Sequence, residues 1–600
     1  MSRNAAAADI FRFRFKQKPL AQRALFPLQR GTEYLLALDK CRRMYAHLPE
    51  GPPENFCARA LDALHVKLRV SPGDLARIPV RGPLIVVANH PFGAVEGLAL
   101  LSLLQQVRPD ICVLANSLLH RIPELRLSMI AVDLFGGFDG KHKNVGGLRK
   151  GLRQLAQGGV LVIFPAGEVS HLNLSRAAID DPPWSQSLAR LVRASSAPVL
   201  PVYFPGRNSL VFQVMGLIHP VLRTAMLPHE LLNKRMRSLE VRIGFPIAFR
   251  RLHTMSNADM TDYLRSKTYL LRQRGQPVAA RTQARPGESI RPPISAELLE
   301  KEVLAIPPAQ CLFESGSYQV FCAASGQIPQ VLLEIGRLRE LTFRGVGEGT
   351  GRALDLDPFD AYYTHLFAWQ RETREIIGAY RLGRSDEILA AAGPQGLYTN
   401  TLFRYRPEFF NELGPALELG RSFVQPKYQK SYNPLMLLWK GIGRFVAKNP
   451  QYAKLFGPVS ISREYQPASR KWMVSTLVDA YSIPELARMV KARRPLRLKE
   501  NRFGCKEINK MTSDFDEMEL VVADLEADGK GVPVLLRQYL SLGGRYLAFN
   551  VDEDFSDVLD GLVLVDLRQT DRKTLERYCG RAGAAEFLAL HEHRDLAEGF

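Results

Sequence analysis

Residues 84–96 read Leu-Ile-Val-Val-Ala-Asn-His-Pro-Phe-Gly-Ala-Val-Glu. Leu84–Ala88 is apolar at every position, the pattern of a strand covered on both faces and therefore of a sheet inside a layered α/β structure. His90 follows in a turn held by Pro91 and Gly93. Glu96 stands where an apolar helix pattern begins with Leu98, Leu100 and Leu101. An imidazole at the mouth of a sheet, with a carboxylate close by, can take a proton from a hydroxyl, so His90 and Glu96 are candidate catalytic residues. The plainer alternative for Glu96 is that it only favours the helix N-terminus through the dipole.

A second strand pattern, Val160–Phe164, ends in Pro165-Ala166-Gly167-Glu168-Val169-Ser170. Further short β-like runs at Ile111–Leu114, Val199–Phe204 and Leu239–Ile243 alternate with helical patterns. That alternation argues an α/β fold around a mostly parallel sheet. Six hundred residues are too many for one core. Residues 274–294 combine proline, glycine and loss of hydrophobic period, which marks a linker. The expected division is a domain over 1–275, a linker over 276–295 and a second α/β domain over 296–600. Strand patterns in that second domain are Glu375–Tyr380, Leu417–Phe423, Leu455–Ile461 and Leu562–Val565, with a helix from Pro434. No internal repeat is visible.

Apolar content of 46% and charged content of 24% are those of a globular protein. Seven scattered cysteines form no C-x-x-C, so neither a zinc site nor a disulfide framework is suggested, and a reducing cytoplasm fits. The N-terminus lacks the apolar core of a signal peptide, and no run of spanning length appears. Charge is uneven. Residues 1–300 hold 41 Lys+Arg against 22 Asp+Glu, a net of +19, and residues 301–600 hold 39 of each. A basic half attracts an anionic partner, either the inner leaflet of the cytoplasmic membrane or an acidic carrier protein. Nucleic acid is disfavoured because no nucleic-acid-binding motif is present. The run Phe11-Arg12-Phe13-Arg14-Phe15-Lys16 alternates rings and cations and suits a membrane surface.

Together the two blocks of the first domain resemble the glycerolipid O-acyltransferases, whose members carry N-H-x-x-x-x-D and then F-P-E-G-T-R-S. The resemblance covers about residues 75–250 and includes the later Val199-Leu200-Pro201-Val202. It implies that His90 is the base that deprotonates an acceptor hydroxyl for attack on a thioester. This chain departs at Val95, where the family has its aspartate, with Glu96 one residue later. It departs again at Ala166, Glu168 and Val169. Without a fixed arginine at 169, a phosphate-bearing acceptor is disfavoured. Gly167 and Glu168 are instead candidate acceptor-binding residues, Glu168 for a cationic or amino-acid head group.

In the second half, Leu417-Glu418-Leu419-Gly420-Arg421-Ser422-Phe423-Val424 follows an upstream set of Arg337, Phe343, Glu348, Asp355, Asp357, Asp360 and Gly378-Ala379-Tyr380-Arg381-Leu382. This order resembles the acyl-homoserine-lactone synthases and the ornithine N-acyltransferases of the GNAT superfamily, over about residues 318–570. An amine nucleophile must lose a proton, so a carboxylate near the thioester is useful: Glu348 first, Glu418 second. Arg421 or Arg381 would clamp a substrate carboxylate, with Arg337 a further binding candidate. Asp355 or Asp357 would hold a side-chain ammonium. A structural ion-pair network is the bland alternative. Gly345-Val346-Gly347-Glu348-Gly349 is not a nucleotide loop, because no helix pattern follows it. The turn Gln425–Lys430 lacks glycines. Lys427 and Lys430 suit the single phosphate of phosphopantetheine, which favours acyl carrier protein over coenzyme A as donor. Lys491–Lys499 is a candidate docking patch for that carrier.

An N-acylating domain fused to an O-acylating one resembles the bifunctional ornithine lipid synthases. That implies ornithine as the amino acid, a 3-hydroxyacyl chain as donor, a lyso-lipid intermediate, and no metal or redox cofactor. Two rivals stand beside it. One is a glycerophospholipid acyltransferase with a degenerate tail. The other is a non-catalytic lipid- or carrier-binding protein.

Overall fold

The structure is a computed structural model. It describes residues 37–116, 119–132, 137–174, 178–275, 287–429, 433–496, 514–553, 555 and 557–598. The Phe11–Lys16 run, Lys430, the linker stretch 276–286 and the end of the 491–499 run lie outside these residues. The chain forms two compact units: Met1–Gly275 with Ala523–Lys530, and Gln276–Val522 with Gly531–Phe600. The eight residues 523–530, assigned by the linear division to the second domain, therefore group with the first.

The first unit is built on a six-stranded sheet of β1 (Leu84–Ala88), β2 (Ile111–Asn116), β3 (Met129–Val132), β4 (Val160–Ile163), β5 (Val199–Tyr203) and β6 (Arg242–Ile243). The order is β6-β5-β1-β4-β2-β3. Five strands are parallel and the edge strand β6 is antiparallel. β1 is central, and all five of its residues are buried, as its unbroken apolar run requires. The helices that bear on the site are α1 (Val95–Leu104), α2 (Leu210–Ile218) and α3 (Asn257–Leu270). The core gathers β1, β4 and β5 with Leu100, Leu101 and Leu104 of α1.

The second unit holds an eight-stranded sheet: β7 (Cys311–Ser315), β8 (Tyr318–Ala324), β9 (Thr364–Gln370), β10 (Glu375–Arg384), β11 (Ala416–Val424), β12 (Lys454–Ile461), β13 (Arg545–Asp552) and β14 (Val558–Asp566). Its order is β7-β8-β9-β10-β11-β12-β14-β13. Only β11 and β12 run parallel, and their ladder stops after Ala416–Glu418 pairs with Lys454–Phe456. Beyond that point β11 stays with β10, and β12 stays with β14. The sheet therefore forks. Gly457 sits at the fork, where a Cβ would stand 2.1 Å from the Leu419 carbonyl oxygen. Its helices include α4 (Pro329–Gly345) and α5 (Asn433–Lys448). The described end of the expected linker is not free chain. Glu288 and Arg291 donate N–H groups to the carbonyls of Gly351 and Ala353, and Ser295 caps the helix Ala296–Leu304.

Candidate active sites

In the first unit, β1 delivers Asn89 and His90 to a tight turn. Asn89 exchanges two hydrogen bonds with the backbone of Phe204 at the end of β5, donating at 2.9 Å and accepting at 2.7 Å. This locks the two strand ends together. Gly93 has φ +111, and a Cβ there would stand 2.7 Å from Leu227 Cδ2, so the turn requires glycine. Glu96 is fully buried in the first turn of α1. Its Oε1 accepts the N–H groups of Phe92 (2.9 Å) and Gly93 (2.8 Å). The same oxygen lies 2.8 Å from His90 Nδ1. Charge attraction and this close approach hold the imidazole against the carboxylate. Burial pushes the Glu96 carboxyl up, but His90 and the two amides outweigh it and hold the carboxyl below its ordinary value. The longer side chain thus reaches the imidazole from one residue further on.

His90 keeps 16% exposure, and its Nε2 makes no hydrogen bond among the described residues. Phe164, from the second sequence block, packs on the imidazole at 4.5 Å between centroids. Asp181, which the sequence reading did not single out, holds the loop backbone. It accepts from His90 N–H at 3.1 Å, from Ser170 Oγ and from Trp184 Nε1. Ser170 N–H in turn donates to the His90 carbonyl at 2.8 Å. A ring oriented through Nδ1 and open at Nε2 can abstract a hydroxyl proton.

Gly167 adopts φ +69 in the strand-ending turn. Glu168 does not stand ready for a cationic head group, because the buried Arg223 side chain pairs with it. Arg223 also brings a guanidinium to the block that lost its arginine at Val169. Cation and carboxylate balance as a pair, so this guanidinium leaves no net positive charge there for a phosphate.

In the second unit the expected clamps face one another. Asp357 bridges Arg381 (2.5 Å) and Arg421 (3.2 Å). Asp360 bridges Arg339 (2.8 Å) and Arg381 (3.2 Å). Asp355 lies 3.6 Å from Arg421. Three aspartates thus meet three arginines, and Arg381 is boxed by Phe359, Tyr363 and Tyr398. Arg339 and Arg381 hold Asp360 down at about 2 against the effect of its burial. Neither the cations as a carboxylate clamp nor Asp355 and Asp357 as an ammonium site carries net charge to spare. Arg421 does not pair with Glu418. The buried Glu418 carboxylate accepts from Tyr363 Oη and from the N–H groups of Thr399 (2.6 Å) and Tyr398 (3.1 Å), which suits an anchor more than a base. Arg337 pairs with Glu334 on its own helix. Lys427 is held by Glu375 at 2.5 Å, so phosphate binding there requires an exchange of partners.

Glu348 differs from these. Burial, then the charges of Asp560 and Glu464, push its carboxyl up to about 7. Asp560 on β14 is likewise raised to about 7, by burial and then by Asp552, although Ser460 donates to it and Arg421 offsets part of the effect. A carboxyl raised toward neutrality is matched to taking a proton from an amine. Asp560 carried a signal in the sequence: it is the single acid within the apolar run Val558–Val565. The fork between β11 and β12 leaves facing backbone edges unpaired, which an extended, amide-bearing ligand can occupy.

Residues 35–276 match the family described as Acyltransferase, and residues 338–440 match the Acetyltransferase (GNAT) domain. The chain is therefore an enzyme, an acyltransferase that joins an acyltransferase domain to a GNAT domain. Among its relatives is a Glycine N(alpha)-acyltransferase of Bacteroides thetaiotaomicron, 29% identical over 46% of this chain and 86% of that protein. One of the same name from Phocaeicola vulgatus is 28% identical over 47% and 90%. A Lyso-glycine lipid O-acyltransferase of Phocaeicola vulgatus is 25% identical over 36% and 77%. A solved 1-acyl-sn-glycerophosphate acyltransferase, PlsC of Thermotoga maritima, aligns with 44% of this chain and 92% of its own at 18% identity, with a TM-score of 0.23.

Proposed function

We propose that the chain makes a diacylated aminolipid in two steps. In the GNAT unit, a carboxylate of the Glu348–Asp560 pair takes a proton from the α-ammonium of an amino acid. The free amine attacks the carbonyl of a 3-hydroxyacyl thioester, the C–N bond forms, the C–S bond breaks, and the thiolate leaves with the proton that the attacking nitrogen gives up as the amide forms. In the other unit, His90 Nε2 takes the proton of that 3-hydroxyl. The oxygen attacks a second thioester, forming the ester and releasing the thiol, which receives the proton back from the imidazolium. Glu96 opposes the charge the ring carries in between. The observation that carries this reading is the presence of both halves in one chain: an oriented histidine in one unit and a near-neutral carboxylate in the other. The relatives named for an N-acylation and for an O-acylation support it.

The amino acid of this reading is ornithine. Burial and neighbouring negative charge raise both Glu348 and Asp560, and a second ammonium on the substrate would offset that charge. The glycine enzymes among the relatives favour a second reading, in which glycine is the substrate. Acyl carrier protein as donor rests on the glycine-free turn at Gln425–Lys430 and on the unpaired edges of the fork. Attachment to the inner face of the cytoplasmic membrane rests on the net +19 of residues 1–300. No helix among the described residues is long and apolar enough to cross a membrane.

The test is expression in a host that lacks aminolipids, followed by mass spectrometry of total lipid. Diacylated ornithine lipid is the expected product, and His90→Ala is expected to leave the monoacylated form. A glycine lipid selects the second reading. A glycerophospholipid change with no aminolipid overturns both.

A further inference from the structure

Helix α2 spans nine residues without a charge, Leu-Val-Phe-Gln-Val-Met-Gly-Leu-Ile. Phe212 and Gln213 face inward and are buried. Leu210, Val211, Val214, Leu217 and Ile218 are 72, 59, 55, 50 and 67% exposed. Their spacing puts them on one stripe of the helix, the side on which a water-facing helix carries polar groups. A contiguous exposed apolar patch of this kind marks an interaction surface.

The patch is tied to the His90 turn from two sides. Asn208, just before α2, donates its amide to the Phe92 carbonyl at 3.2 Å. From the other side, Ser170 donates to the His90 carbonyl, and two residues later Leu172 N–H donates to Gln213 Oε1 at 2.8 Å. The short hairpin that begins there exposes Leu174 by 71%.

The surrounding charge identifies the occupant. Residues 205–237 hold Arg207, Arg223, Lys234, Arg235 and Arg237 against Glu230 alone, a net of +4. Lys234 is spent on Glu230, and Arg223 on Glu168. Arg207, Arg235 and Arg237 stay exposed, and no carboxylate pairs with them among the described residues. A second copy meeting this face about a twofold axis would set these cations against themselves. An anionic leaflet complements both features, with apolar side chains at the acyl boundary and arginines at the head groups. We infer that α2 is the surface by which the O-acylating unit lies on an anionic membrane, beside the turn that holds the base. The inference rests on the reading of a membrane-held acceptor and adds the surface that meets it.

The test uses the full chain carrying Val214→Trp and mixed phosphatidylcholine–phosphatidylglycerol vesicles with brominated acyl chains. All four native tryptophans are buried, so the parent supplies a steady background. Vesicles are expected to blue-shift the introduced indole, and the brominated chains to quench it. The triple variant Leu210→Ser, Val214→Ser, Ile218→Ser is expected to bind these vesicles about tenfold more weakly, since each lost contact is apolar. It should still turn over a detergent-dispersed acceptor at the parent rate. If the protein sediments with vesicles but the indole is unmoved, attachment lies elsewhere and the inference fails while the membrane reading stands. If the parent binds no vesicle at all, both fail. If the parent is a dimer in sedimentation velocity and the triple variant a monomer, α2 is a self-contact and the inference is overturned.

Discussion

His90 Nδ1 stands 2.8 Å from Glu96 Oε1, and that oxygen also accepts the N–H groups of Phe92 and Gly93. One carboxylate oxygen therefore orients the imidazole and pins the turn that carries it. Glu96→Gln keeps the shape and removes the charge. O-acylation is expected to fall on the order of 10²-fold, within the range that a general base and its partner supply. N-acylation of the amino acid should be untouched, which a two-substrate assay on one preparation would show.

Moving the carboxylate to the family's usual position should not repair this. Val95 is buried in the core and packs with α1 and the sheet. An aspartate there would bury a charge at a cost of several kcal/mol. The pair Val95→Asp, Glu96→Ala is therefore expected to lose both thermal stability and O-acylation relative to Glu96→Ala alone. A recovery of activity would show that the turn can reverse which residue faces the ring.

The charge network of the second unit is expected to serve stability before chemistry. Asp357 is shared by the fully buried Arg381 and the largely buried Arg421. Asp357→Ala takes one of two carboxylates from each guanidinium, leaving Arg381 with Asp360 and Arg421 with Asp355, and a loss on the order of 1–3 kcal/mol is expected for the buried donors left unsatisfied. Denaturant unfolding should show that loss, and KM for the amino acid should move less than stability does. A large KM rise at unchanged stability would return Asp357 to the substrate.

The fold was legible where the chain announces it locally. Leu84–Ala88 reads as a covered strand because every residue is apolar, and His90, Gly93 and Glu96 follow within one turn. Leu417–Phe423 and Leu455–Ile461 were legible as apolar-rich runs, and the strands extend them to Ala416–Val424 and Lys454–Ile461. Met129–Val132 has only four residues and no turn signal beside it. Cys311–Ser315 and Tyr318–Ala324 form a hairpin that is recognisable only once Gly316 is seen at φ +60. The site was legible as a set of residue types but not as pairings. Nothing local tells Arg421 to choose Asp357 over Glu418, or brings Arg223 to Glu168 across 55 positions. Helix α2 reads as apolar in the sequence, but its exposure exists only in the fold.

Glu348 offers the sharpest test because its activity and its stability move in opposite directions. Its carboxyl is raised from the ordinary 4.5 to about 7, first by burial and then by Asp560 and Glu464. The folded chain therefore holds this proton more tightly than the unfolded chain does. Stability from this group is fully present below about pH 4.5 and is lost as pH rises through about 7, a change on the order of 3 kcal/mol at most. Glu348→Gln removes the dependence, so thermal unfolding of the variant should match the parent near pH 5 and exceed it at pH 8. The reaction needs the opposite state. As a base, Glu348 must be deprotonated, so kcat/KM for N-acylation should rise with pH through about 7 in the parent. The glutamine variant should lose about 10²-fold or more. A variant that gains stability at pH 8 and keeps the parent's rate and pH profile would move the base to Asp560, and Asp560→Asn should then carry the loss.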